Sequence, residues 1–559
     1  MRASKLVLLT VAVTAAACAT TPKPPSPSTP TGQPVDIDTT EGVVRGLHVD
    51  DVSVFKGVPY AAPLDGILKW RPPQSPPTRD TVLDATRFGD MCFQAVSTLP
   101  SWMLTEGGAA FLDEMAGAQL MVEHPKGADC LNLNIWTPLA DKRAELPVLV
   151  MLHGGGLSIG SALPKSIDGT SLAQLGAVVV TIHYRLGATG FLTGDDLFEG
   201  DVLDGNRGMM DTVAALRWLK KNVRNFGGDP DNITLAGQSG GGTNVWAVLA
   251  SPSSKGLVRR AIVHSGPINM VSKDDQQKLT RDVLKSWNVE PGDAQGLANL
   301  SDDQVSDAIM QTTLLGDADY GEMSRTKLPT TGAYGTDFMP QDVLVAIENG
   351  ALDGIDLMVG SAAHDGRASV IALPLPNGWA IDLMNGLVAG QLGPTEERRA
   401  SMFELYRAAV DDDVPDWQVK EKLQTDGLYR VRALRAAELH AARGGRSFVF
   451  QFNWQSPLND GELGAMHGLD LIFAMRNTQH FPRSIGSGPT VKPLADEMSQ
   501  LWVSFMRSGQ PESSQGAQWP PYDAKHRRTM VFDESSRVAE DPDGHFRELW
   551  SWLWSREGS

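Results

Sequence analysis

The sequence predicts an α/β fold, a mainly parallel central sheet with helices on both faces, and three observations lead there. Short, continuous apolar runs recur at Leu146 to Leu152, Ala177 to Ile182, Ile233 to Ala236 and Ala261 to Val263, as in strands buried on both faces. Between the second and third lies Asp211 to Val223, with Val213, Leu216, Trp218, Leu219 and Val223 on one helical face. The third run leads through Gly237-Gln238-Ser239-Gly240-Gly241 into a segment carrying Thr243, Val245, Trp246 and Leu249 at near-helical spacing. Strand, helix, strand and helix in that order build a parallel sheet. The 559 residues, 42% hydrophobic and 21% charged, suffice for one large domain with insertions. A net charge of −18 without a basic stretch argues against nucleic acid as a partner.

Taken from the N-terminus, Arg2 and Lys5 precede an apolar run from Leu6 to Val13 and then Ala15-Ala16-Ala17-Cys18. This is the layout of an export signal, too short for a convincing membrane span. Cys18 after small residues resembles a lipoprotein processing site over residues 1–18, and Ala19 resembles sorting to the outer membrane. Plain cleavage and secretion is the alternative. Residues 19–36, rich in Pro, Ser and Thr, read as an extended tether, and residues 37–559 as the folded body. From Val35 to about Val54 short alternating segments read as antiparallel strands. Cys92 and Cys130 are the cysteines besides Cys18, and in an exported chain a remaining pair suggests one disulfide, two free thiols being the alternative.

The G-x-S-x-G between a strand and a helix is the setting of a nucleophile elbow. A serine hydroxyl is a weak nucleophile, so it must project where a base can reach it and a developing oxyanion can be neutralised. A sharp turn would lift Ser239 clear of the sheet, with glycines at 237 and 241 avoiding collisions. After the strand at Leu146 to Leu152 comes His153-Gly154-Gly155-Gly156, a glycine run whose bare amides can approach a substrate oxygen. The expected oxyanion donors are the amides of Gly155, Gly156 and Gly240. A phosphate cradle would need a Walker lysine, which this run lacks.

These segments, with FKGVPYAAP from Phe55, ADCLNLNIWTP around Cys130, GLVRRAIVHSG after the elbow and LWVSFMRSGQP with WPPYD near the end, resemble the type-B carboxylesterases. That family includes the cholinesterases and bacterial para-nitrobenzyl esterases, and the resemblance runs from about residue 37 to 550. It implies an α/β-hydrolase fold whose loop and helical insertions, such as 93–129 and 310–340, form the cleft. It also places the family's paired cysteines on Cys92 and Cys130. Within these segments three positions depart from the pattern. Gln238 stands where a glutamate is usual, removing a negative charge beside the site and arguing against a preference for cationic substrates. Gly240 replaces an alanine, and Ala128 an acidic residue.

An elbow serine needs a histidine and a carboxylate behind it. Six histidines follow at a distance: His364, His440, His467, His480, His526 and His545. His440, in ALRAAELHAA, reads as a surface residue of a helix. His467 sits in Gly464-Ala465-Met466-His467-Gly468-Leu469-Asp470, which resembles the family's G-x-x-H-x-x-E with Asp470 in the glutamate position. The family's strand followed by G-x-x-x-D-E-G, aligned on Gly360 and Gly366, implies Asp365 as the orienting acid, one methylene shorter than the usual glutamate. Asp337 and Asp356 are fallbacks.

The resulting expectation is a serine carboxylesterase with Ser239, His467 and Asp365, acting on small ester molecules through an acyl-enzyme. No ligand cluster with metal spacing appears, so no metal or organic cofactor is implied. An inactive binding or adhesion protein of the same fold, or an acyl hydrolase of amides, carbonates or lactones, are the competing readings. The aromatic segment His545 to Trp554 reads as a helix packed on the body.

Overall fold

A computed structural model describes residues 32–94, 114, 124–138, 140–305, 331–367, 396–513 and 518–557. The expected export signal, Cys18, most of the tether, and the insertions at 95–113, 115–123 and 306–330 lie outside the described residues.

A thirteen-stranded sheet runs through the described residues. Its strands are β1 (Gln33–Thr39), β2 (Gly42–Val49), β3 (Val52–Pro59), β4 (Leu83–Asp84), β5 (Asn132–Thr137), β6 (Leu146–Leu152), β7 (Val178–Ile182), β8 (Gly228–Gln238), β9 (Arg260–His264), β10 (Asp356–Ala362), β11 (Ser447–Phe452), β12 (Arg528–Phe532) and β13 (Arg537–Glu540). Across the sheet the order is β1-β2-β3-β5-β7-β6-β8-β9-β10-β11-β12-β13, with β4 beside β2. The block from β7 to β12 is parallel throughout. Antiparallel pairs flank it at β1 to β7 and at β12 with β13.

Successive side chains of a strand point to opposite faces, so each central strand supplies two cores at once. Val148, Val150, Ile233, Leu235, Ala261, Val263, Leu357 and Val359 face the layer of α1 (Arg207–Asn222), α2 (Gly240–Ala250) and α5 (Val431–Ala442). Their neighbours Leu149, Met151, Ala236, Ile262, Met358, Phe448 and Phe450 face α6 (Val491–Ser508), through Leu494, Met498, Leu501, Trp502 and Phe505. Burial on both faces explains why these runs are continuously apolar rather than alternating.

A smaller core joins α3 (Glu396–Arg407), α4 (Asp416–Gln424) and the C-terminal α7 (Gly544–Glu557). Phe546, Trp550 and Leu553 are buried there, and the Trp550 indole N–H donates to the Tyr406 hydroxyl at 2.6 Å. The aromatic tail thus packs on the body, as its spacing predicts.

Cys92 and Cys130 form a disulfide. Two expectations need correction. The tether was expected to reach residue 36, but β1 starts at Gln33, because Val35 and Ile37 pair in register with Gly46 and Val44. His440 is not on the surface. It is buried against the sheet, its Nδ1 2.9 Å from Ser447 Oγ on β11. An isolated polar residue in a helical pattern signals exposure only when no sheet partner waits for it. Among the described residues no helix is long and apolar enough to cross a membrane.

Candidate active site

Ligands of open α/β sheets sit beyond the carboxyl ends of the strands, and Ser239, Asp365, His467 and the glycine run gather at that edge. β6 runs into His153, β8 into Ser239, β9 into Ser265, β10 into Asp365, and the chain after β11 returns through His467.

Ser239 has φ 57° and ψ −126°, a conformation a side chain rarely adopts. The turn is held on both sides. The Ser239 N–H donates to the His264 carbonyl at 2.9 Å, and the Ser239 carbonyl accepts from Thr243 N–H at 3.0 Å in the first turn of α2. The glycines around it are required by close approach. A Cβ on Gly241 would stand 2.3 Å from the Leu152 carbonyl oxygen, and one on Gly240 would stand 2.8 Å from the Gly156 nitrogen. The second distance accounts for the departure at 240, since an alanine there would push against the glycine loop.

That loop turns through Gly155 at φ 110° and Gly156 at φ 60°. His153 anchors its start. Its ring stacks on Tyr184, whose hydroxyl donates to the His153 carbonyl at 2.7 Å, and its Nδ1 is 2.8 Å from the Gly154 carbonyl oxygen. Burial lowers the His153 pKa to about 4, so the ring is neutral and Nδ1–H donates. Farther along, Gly160 exchanges two hydrogen bonds with the Gln94 carboxamide, both 2.8 Å. Gln94 lies two residues from Cys92, so the disulfide fixes the residue that fixes the loop. The loop brings Gly156 beside Gly240, the first residue of α2, whose amide begins the positive end of that helix.

Asp365 is 1% exposed. Its Oδ1 lies 2.7 Å from His467 Nδ1, and its Oδ2 accepts from Ser265 O–H at 2.8 Å and Ala362 N–H at 3.0 Å. Burial raises its pKa, opposed by the bond to His467. On the far side of the imidazole, His467 Nε2 lies 2.9 Å from the side-chain nitrogen of Gln238, the residue before Ser239. Gln238 and Ser239 both press on Gly154, where a Cβ would meet Gln238 Oε1 at 2.7 Å and Ser239 Cβ at 3.2 Å. Serine, imidazole, carboxylate and glycine loop are therefore neighbours. Asp337 is exposed, and Asp356, paired with Arg446, sits at the opposite end of β10. Neither approaches the site.

Sequence reasoning missed the supports. His364, weighed as a base, instead ties the loop of Asp365 to the loop of His467: its N–H donates to the Ala465 carbonyl at 3.0 Å, and its Nδ1 accepts from Ala465 N–H at 3.1 Å. Burial, with the charges of Arg367 and Lys422, lowers its pKa to about 3, which keeps that nitrogen an acceptor. Asp470 pairs with His264 at 2.7 Å, fastening the His467 loop to β9. Tyr429 lies on a π-helix (Thr425–Arg430) between α4 and α5, its ring 4.9 Å from that of His467. A π-turn often marks a functional site, but no spacing in a sequence announces one. Ser265 could have been noticed as a polar residue ending an apolar strand. The remaining histidines are elsewhere: His480 and His545 are exposed, and His526 caps its own turn through Asp523.

A parallel-stranded α/β sheet with a strained serine between strand and helix, and an acid and then a histidine following it along the chain, defines an α/β-hydrolase. The particular family follows from comparison: the chain belongs to the carboxylesterase family, whose model matches residues 33–550. The para-nitrobenzyl esterase of Bacillus subtilis is 29% identical over 92% of this chain and 97% of its own. The phenmedipham hydrolase of Pseudarthrobacter oxydans is 30% identical over 90% and 96%. A crystal structure of a Geobacillus stearothermophilus carboxylesterase superposes with a TM-score of 0.77 at 30% identity, covering 92% of this chain and 99% of the other. Together they support hydrolysis of carboxylic esters.

Proposed function

We propose that the protein is a serine carboxylesterase that works through an acyl-enzyme on Ser239. The observation that carries this reading is the held imidazole: Asp365 fixes Nδ1 at 2.7 Å while Nε2 faces the elbow. Ser239 attacks the ester carbonyl and gives its proton to His467 Nε2. Gly155, Gly156 and Gly240 amides hold the oxyanion, each worth about 100- to 1000-fold in turnover. His467 passes the proton to the departing alcohol, then takes one from water, which attacks the acyl-enzyme, and returns that proton to the Ser239 oxygen as the acid product leaves. Asp365 keeps the imidazole in the right tautomer and stabilises its transient charge. The export residues and the disulfide support a second element of the reading, a protein held at a membrane by lipid on Cys18 outside the cytoplasm.

The test is a fluorophosphonate probe together with a short-chain p-nitrophenyl ester. The protein is expected to take the label on Ser239, and Ser239→Ala to lose both labelling and about a million-fold of turnover. Near-normal hydrolysis by Ser239→Ala would refute the nucleophile, and failure of the wild type to take the probe would favour a binding protein.

A further inference from the structure

The side chain before the nucleophile is wedged between the base and the glycine loop, and its chemistry is constrained by both. Gln238 Nε2 lies 2.9 Å from His467 Nε2, while Gln238 Oε1 faces the Gly154 backbone. Two nitrogens at that distance need one donor and one acceptor. The identity of each follows from the rest of the network. Asp365 already accepts from Ser265 O–H and Ala362 N–H, and its other oxygen meets His467 Nδ1, so Nδ1 carries the hydrogen. With the ring neutral, His467 Nε2 offers a lone pair to which the Gln238 amide N–H donates.

We propose that Gln238 is a positioning residue for the base: in the free enzyme its carboxamide N–H caps Nε2 of His467, favouring the neutral imidazole in the tautomer that can accept the Ser239 proton. The idea rests on the serine esterase reading above. A donor at this place opposes uptake of a proton from solvent, because hydrogen bonding to the neutral form disfavours the charged one. When the carboxamide swings off Nε2, the freed lone pair takes the proton from Ser239 and Nε2–H then hands it to the departing alcohol, after which the carboxamide caps Nε2 again. No charge is gained or lost by the side chain in this cycle.

A carboxylate could not do this. Glutamate, the residue the family resemblance leads one to expect here, only accepts, and would draw a solvent proton onto Nε2 before substrate arrives. The other groups around His467 do not reproduce the donor. Asp365 holds the opposite nitrogen, Tyr429 from the π-helix meets the ring face, and Asp470 is engaged by His264. The glutamine therefore extends esterase action to more acidic conditions than a glutamate at 238 would permit.

The test compares the wild type with Gln238→Glu and with Gln238→Met, which keeps the shape without a donor or a charge. The second-order rate of fluorophosphonate labelling at Ser239 is measured from acid to alkaline pH, with folding of each variant checked by circular dichroism. The acid limb is expected to move upward by about one pH unit or more in Gln238→Glu, and by less in Gln238→Met. On that limb the wild type then labels about tenfold faster than the Glu variant. The proposal is overturned if the Glu limb coincides with that of the wild type while rates drop equally at every pH, or if the Met limb moves further than the Glu limb. Failure of the wild type to take label would sink the esterase reading itself, a distinct result.

Discussion

Replacing Asp365 by asparagine changes one oxygen to nitrogen, and the structure dictates which. The Oδ2 position receives the Ala362 backbone N–H at 3.0 Å as well as the Ser265 hydroxyl at 2.8 Å. A backbone donor cannot reverse, so the amide oxygen must stay there. The amide NH2 then takes the Oδ1 position, 2.7 Å from His467 Nδ1, and forces that nitrogen to accept. The imidazole hydrogen moves to Nε2, which can no longer take a proton from Ser239. The same wrong-tautomer swap in a serine hydrolase costs about 10,000-fold in turnover, or about 5 kcal/mol of barrier. Folding should not suffer. Burial holds the Asp365 pKa above its ordinary value, so the folded protein disfavours the charge that asparagine removes. Asp365→Asn is therefore expected to melt at the wild-type temperature or higher while hydrolysing p-nitrophenyl acetate about 10,000-fold more slowly at neutral pH. Activity within tenfold of wild type would refute the tautomer argument, and a lowered melting temperature would refute the account of the buried charge.

Glu421 donates its position to stability rather than to chemistry: its carboxylate accepts from Thr425 O–H at 2.7 Å, and Thr425 Oγ1 accepts from Gly366 N–H at 2.9 Å, next to Asp365. Burial pushes its pKa from 4.5 up to about 7, so the stability it lends is fully present below about pH 4.5 and is lost as the pH rises through about 7. Glu421→Gln should accordingly gain melting temperature over wild type above about pH 7 and lose that advantage below about pH 4.5, and a pH-independent difference would contradict this. For the proposed lipid anchor, Cys18→Ala is expected to shift the protein from the membrane to the soluble fraction, and an unchanged distribution would count against lipidation.

Much of the molecule is written in local pattern. Continuous apolar runs mark the parallel strands, because burial on both faces leaves no solvent side to encode. The elbow is equally legible, since glycines at 240 and 241 are the residues that close backbone approach allows. The family resemblance added His467 and Asp365 as candidates, and the tertiary structure puts both on one network with Ser265, whose one sequence signal is its place at the end of an apolar strand.

What the chain could not state alone is which polar groups meet. His440 read as exposed and is buried, while His364 read as a possible base and instead clasps two loops, because each answer depends on a partner about seven or a hundred residues away. Tyr429 reaches the imidazole from a π-turn that needs one extra residue per turn, a backbone choice made by the surrounding packing. The sequence by itself determined the strands, the elbow and the glycine loop, since periodicity and steric exclusion act between near neighbours. Only the folded chain decided the hydrogen-bond partners of His467, Gln238 among them, since direction and distance between remote side chains exist only once the sheet has gathered its strand ends.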